Sequence, residues 1–125
     1  MEFKERRGIY LQIADALADR ILAGEWGEEE RIPSIREVSA DLGVNPNTVM
    51  RSFNFLQDRE IILNKRGIGY FVDPQGPDRI RDWKKEEFVA WELPVVFKTM
   101  EQLGLTTSDL ENYYQKYRET RHENE

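Results

Sequence analysis

Apolar positions along the chain change their spacing several times, and each change marks an element. From about Ile9 to Ala23, Ile13, Leu17 and Ile21 recur every four residues with Ala16 beside them, the signature of one buried helical face, and Gly24 stops the pattern. "GEWGEEERIP" breaks the periodicity with two glycines and an acidic run and is predicted to be a loop. In "PSIREVSADLG", Ser34 followed three residues later by Glu37 reads as a capping box. Ile35, Val38 and Leu42 give the helix it opens an apolar face, and Gly43 supplies a left-handed turn. Asn45 is a good N-cap and Pro46 suits the first helical position, so a second helix is predicted from Pro46 to about Arg59. Val49, Phe53 and Leu56 form its buried face, and Asn47, Thr48 and Arg51 fall elsewhere.

Two short helices joined so tightly form a helix-turn-helix. "IILNK" and "YFVD" then read as short strands around the turn residues "RGIG", which carry a basic tip. A helix, a helix-turn-helix and a hairpin in that order make a winged helix. Its expected core is Ile13, Leu17, Ile21, Ile35, Val38, Leu42, Val49, Phe53, Leu56 and Phe71. The fold class is therefore α+β and mostly helical, with a winged helix over residues 1–73. "DPQGPD" carries two prolines and a glycine and suggests a linker over residues 74–78, followed by a two-helix dimerisation region over 79–125. There Val89, Leu93, Val96, Met100 and Leu103 keep a heptad-like seam. Pro94 within it either kinks one long helix or starts a second. Thr106 with Asp109 resembles a variant capping box for a last helix to about Arg121, with Leu110, Tyr113, Tyr114 and Tyr117 on one face. The tail "ETRHENE" reads as a frayed end.

Composition narrows the chemistry. The 125 residues carry a formal net charge of −6, which excludes a uniformly basic nucleic-acid binder. Any positive field must be local. From Ser34 to Val72 five Lys/Arg stand against four acids, whereas from Asp78 to Glu125 eight basic residues stand against eleven acidic ones. The absence of cysteine excludes disulfides and cysteine-based zinc sites and is consistent with a reducing cytoplasm. No apolar run is long enough for a membrane span, and "MEFKERRGIY" lacks an apolar signal region. His122, the sole histidine, lies in the tail. There is no nucleophile–base pairing, glycine-rich phosphate cradle or metal spacing, so no enzyme activity and no cofactor is expected. Trp83, Trp91 and the tyrosines of the last helix are expected to pack in a core or dimer rather than to form a ligand box.

"IPSIREVSADLGVNPNTVMRSFNFLQDREIILNKRGIGYFV" resembles the winged helix of GntR-type transcription regulators, and "VNPNTVMRSF" with the short tail is similar to the YtrA subfamily. The resemblance implies a dimeric, cytoplasmic bacterial repressor that binds double-stranded operator DNA near its own operon, often one encoding a transporter. It implies a recognition helix in the major groove and a wing tip in the adjacent minor groove. The candidate DNA-contacting residues are Ser34, Arg36, Asn45, Asn47, Thr48, Arg51, Lys65, Arg66, Gly67 and Gly69; the candidate dimerisation residues are Trp83, Val89, Leu93, Val96, Met100, Leu110, Tyr113 and Tyr117. An effector would be a small molecule between subunits, or there is none beyond autoregulation. Glu60 stands where the family commonly has glycine, Phe55 where an acidic residue is common, and Met50 where many members carry arginine. The alternative reading, favoured by the acidic charge, is a winged-helix protein-interaction module that does not bind DNA.

Overall fold

The computed structural model describes residues 8–27 and 29–123, so the reading of the N-terminal segment falls largely outside the described residues. The chain divides into two compact units, the first ending at Glu86 and the second beginning at Glu87. The first unit holds α1 (Ile9–Leu22), α2 (Ile35–Leu42), α3 (Pro46–Asp58), the strands β1 (Ile62–Lys65) and β2 (Gly69–Val72), and α4, which runs from Gly76 to Glu87. The strands pair antiparallel with Ile62 opposite Val72 and Lys65 opposite Gly69. Arg31 forms an isolated bridge to Phe71, and the Ile32 N–H donates to the Tyr70 carbonyl at 2.9 Å, which ties the loop before α2 to the wing.

α1 buries Ile13, Ala14, Leu17, Ala18 and Ile21 against Val49, Phe53 and Leu56 of α3. Ala16, expected beside that face, is exposed. Leu42, placed in the core by periodicity, is 54% exposed at the C-terminus of α2, and Ile35 is only partly buried. Their places are filled by Ile32, Ile61, Ile62 and Val72, which the hairpin and its flanks bring inward from outside the helices.

No linker occupies residues 74–78. Asp73 closes a turn: its side chain accepts the Gln75 N–H at 2.9 Å and its carbonyl accepts the Gly76 N–H at 2.7 Å. α4 then starts at once, because proline is as compatible with a first helical turn as with a loop. Ile80 and Trp83 enter the core, and Trp83 meets Phe55 edge-on with ring centroids 5.1 Å apart. Lys84 pairs with Asp15 of α1. Arg79 donates to the Glu60 carbonyl at 2.9 Å and lies 3.6 Å from the Asp73 carboxylate. Trp83 is thus a core residue of the winged helix rather than an open interface residue.

Glu60 has φ +60, the left-handed conformation that explains why glycine suits this exit from α3. Its carboxylate stands 3.4 Å from Arg79, an exposed pair worth under about 1 kcal/mol. Glu60→Ile is expected to lower stability by about 1–2 kcal/mol, because a β-branched residue tolerates this conformation poorly. Glu60→Gly should be no less stable than the unmodified chain. Urea unfolding of both variants checks this, and equal midpoints for the two would refute it.

The second unit consists of a single π-helical turn, Phe88–Glu92, then α5 (Leu93–Leu103) and α6 (Thr107–Glu123). Pro94 lies in the first turn of α5, directly after the π-helical turn, and the helix continues through it with Glu92 and Leu93 both in helical conformation. The capping box at α6 is reciprocal: the Thr106 N–H reaches the Asp109 carboxylate at 2.9 Å, and the Asp109 N–H reaches the Thr106 hydroxyl at 3.1 Å. These bonds from Thr106 hold the Asp109 carboxyl below its ordinary range. α6 continues through Glu123, so "ETRHE" is helical rather than frayed; the last two residues lie outside the described set. Met100 is buried within this unit and Leu93 partly so, whereas Val89, Val96, Leu110, Tyr113 and Tyr117 are exposed. No helix among the described residues is long and apolar enough to cross a membrane.

Candidate nucleic-acid interface

The turn between α2 and α3 is set by local chemistry. Gly43 ends α2 at φ 63, ψ 36, where a Cβ would be strained. The Val44 N–H returns to the Ser39 carbonyl at 3.2 Å, and the Ser39 hydroxyl donates to the Val44 carbonyl at 2.5 Å. Asn45 caps α3, its Oδ1 accepting the Asn47 N–H at 2.8 Å. Ser34 caps α2 through the Glu37 N–H at 3.1 Å, and the Glu37 carboxylate answers on the Ser34 N–H at 3.4 Å. Both capping side chains therefore spend an acceptor on their own helix. What each can still offer an anionic ligand is a donor: the Asn45 amide N–H pair and the Ser34 hydroxyl proton.

α3 is fixed from behind by a buried hydroxyl. Ser52 is fully buried and donates to the Tyr10 carbonyl at 2.6 Å, with the Thr48 carbonyl at 3.3 Å. Phe53 meets Tyr70 of the wing edge-on at 4.9 Å. With its rear face held, α3 turns Asn47, Met50, Arg51 and Asn54 to solvent along one stripe, at the i, i+3, i+4, i+7 spacing of a single helical face. Thr48 is partly buried at its edge. No carboxylate occurs between Val44 and Gln57, so α3 itself sets no negative charge against the positive end of its dipole or against Arg51. Asn54 was missed in the sequence, although its position seven residues after Asn47 puts it on the same face.

The hairpin presents Lys65, Arg66, Gly67 and Ile68 at its tip, all exposed. The Ile68 N–H closes the turn onto the Lys65 carbonyl at 2.9 Å, and the Lys65 ammonium stands 4.3 Å over the Phe71 ring. Arg31 is a further wing residue that sequence reasoning missed. Its stem lies over Gly69, whose φ of +142 favours glycine, and any side chain there would also have to push the Arg31 stem aside, since a Cβ would come within 2.5 Å of Arg31 Cδ. Arg31 is only loosely engaged by Glu37, at 3.8 Å with both side chains exposed. Arg36 and Arg66 have no ion-pair partner among the described residues and are exposed. The fold thus brings Asn45, Asn47, Thr48 and Arg51 together at the start of α3 and groups Lys65, Arg66, Gly67 and Gly69 in the wing.

A polar stripe on the second helix of a helix-turn-helix, followed by a hairpin with a basic tip, defines a winged-helix DNA-binding domain. The chain belongs to the GntR family: the model for bacterial regulatory proteins of the gntR family matches residues 9–72. It is 32% identical over 109 residues to the uncharacterized HTH-type transcriptional regulator YhcF of Bacillus subtilis, covering 87% of this chain and 88% of that one. A crystal structure from Bacteroides thetaiotaomicron, assigned to the same family of regulators, superposes with a TM-score of 0.79 at 42% identity, over 91% of this chain and 99% of that chain. YtrA from Sulfolobus acidocaldarius, a GntR-family transcription factor, gives a TM-score of 0.53 at 32% identity over 68% of this chain and 89% of that chain, in line with the narrower resemblance. The chain is accordingly a DNA-binding transcription regulator of the GntR family.

Proposed function

We propose that this regulator is a homodimeric, cytoplasmic repressor acting at the promoter of its own operon, which the subfamily resemblance leads us to expect encodes a transporter. The observation that carries this reading is the carboxylate-free stripe of α3, with Arg51 at its centre, in a chain whose net charge is −6. A local cationic face on an acidic protein favours one defined polyanion contact over general adhesion. In this reading α3 enters the major groove, where Asn47, Arg51 and Asn54 offer amide and guanidinium donors to base edges and phosphates. Arg31, Lys65 and Arg66 follow the backbone or the minor groove from the wing, and Arg36 meets phosphate from α2. Two subunits read two half-sites, so the operator should share their two-fold symmetry.

The test is a gel shift and footprint on the duplex upstream of the chain's own gene. Arg51→Ala should weaken binding by about 1–3 kcal/mol while changing stability by about 1 kcal/mol or less. Arg66→Ala should weaken specific and random DNA alike and lower the slope of log affinity against log salt by about 1. A footprint without two-fold symmetry would reject the dimer, and wild-type affinity for Arg51→Ala would reject the recognition role of α3.

A further inference from the structure

The Arg51 guanidinium does not hang free at the recognition face. It lies over the Tyr10 ring, 4.0 Å from its centroid. Tyr10 is in turn held in place. Its ring meets Phe55 edge-on at 6.4 Å, and its carbonyl accepts the buried Ser52 hydroxyl at 2.6 Å. Gly8, Ile9 and Tyr10 face Asn47, Thr48 and Arg51 across an open recess of about 360 Å³. The start of α1 is therefore a platform under the start of α3.

We infer that Tyr10 is a positioning residue that holds Arg51 in its DNA-reading orientation. This rests on the proposed contact of Arg51 with DNA. Stacking uses the flat face of a guanidinium and leaves its N–H edge free, so the platform and a bidentate contact are compatible. A long side chain that is already ordered loses less rotamer freedom when it binds. Tyr10 sits 41 positions before Arg51 on a different helix, yet it governs the residue that would read the groove.

The test measures binding of the full chain, by fluorescence anisotropy, to a labelled duplex from upstream of its own gene. Tyr10→Leu should weaken binding about 3- to 10-fold, the cost of ordering one long side chain only on binding. Tyr10→Phe keeps the ring and should stay within about twofold of the unmodified chain. In an Arg51→Ala background, Tyr10→Leu should cause no further loss. In the free protein, the δ-methylene protons of Arg51 should show an upfield ring-current shift that survives Tyr10→Phe, a readout that does not depend on Tyr10→Leu folding. Absence of that shift would overturn the inference. So would equal losses for Tyr10→Phe and Tyr10→Leu, which would mean that the hydroxyl touches DNA directly. So would an undiminished Tyr10→Leu loss without Arg51, or wild-type binding by Tyr10→Leu beside weakened Arg51→Ala. Wild-type binding by Arg51→Ala would overturn the DNA contact itself, and this role with it, while leaving the ring-current shift in place.

Discussion

Trp83→Ala is expected to destabilise the winged helix by about 3–5 kcal/mol, the usual range for removing a fully packed tryptophan. Trp83 is 2% exposed, meets Phe55 at 5.1 Å and has the Arg59 guanidinium 5.9 Å from its ring. One turn earlier, Ile80 is fully buried. Small domains have only about 5–15 kcal/mol of stability, so this single change should remove a large share of it. The same argument applies to a chain ending at Gln75, which loses Ile80, Trp83 and the Arg79 latch together and should fail to fold. Urea unfolding followed by circular dichroism measures both. A loss under about 1 kcal/mol for Trp83→Ala would show that α4 is a dispensable appendage.

The parts of the fold that were legible in the sequence rest on short-range chemistry. Ser34 with Glu37, Gly43, and Asn45 with Pro46 fix the ends of α2 and the start of α3 through bonds reaching two to five residues. The hairpin is equally local, since the chain folds back over Arg66–Ile68. What periodicity misjudged depends on distant partners. Leu42 has the right spacing but lies at a helix end with nothing over it, while Ile32 and Ile61 are buried by strands and loops that no helical pattern describes. "DPQGPD" is ambiguous because glycine and proline mark both linkers and helix starts. Trp83 stood among the candidate dimerisation residues because nothing local reveals that Phe55 awaits it. At the interface, Asn47, Thr48 and Arg51 were legible from helix geometry, and Asn54 would have been had the same stripe been extended. Arg31 and Tyr10 were not, since their roles depend on contacts with the wing and with α3.

A chain ending at Glu87 should fold, run as a monomer, and bind operator DNA on the order of 100-fold more weakly than the full chain, because linking two modest contacts multiplies their affinity by effective concentration. Folding is expected because the first compact unit keeps its whole apolar core, including Ile80 and Trp83. Loss of dimerisation is expected from what the second unit lacks. Met100 is its one buried large apolar side chain among the described residues, while Phe88, Val89, Trp91, Val95, Phe97, Leu103, Tyr113, Tyr114 and Tyr117 are each 46–68% exposed. Phe88, Leu93, Val96, Leu110, Tyr113 and Tyr114 also line an open apolar groove of about 580 Å³ between the π-helical turn, α5 and α6. Apolar surface on this scale normally marks an interface, and two short helices cannot cover it alone. A second copy offers the same surface back across a two-fold axis. Sedimentation of the two chains, and anisotropy with an intact operator and with a single half-site, measure the outcome. The full chain should prefer the intact operator and the shortened chain should not. A full chain that sediments as a monomer would reject the role assigned to α5 and α6, as would a shortened chain that remains dimeric.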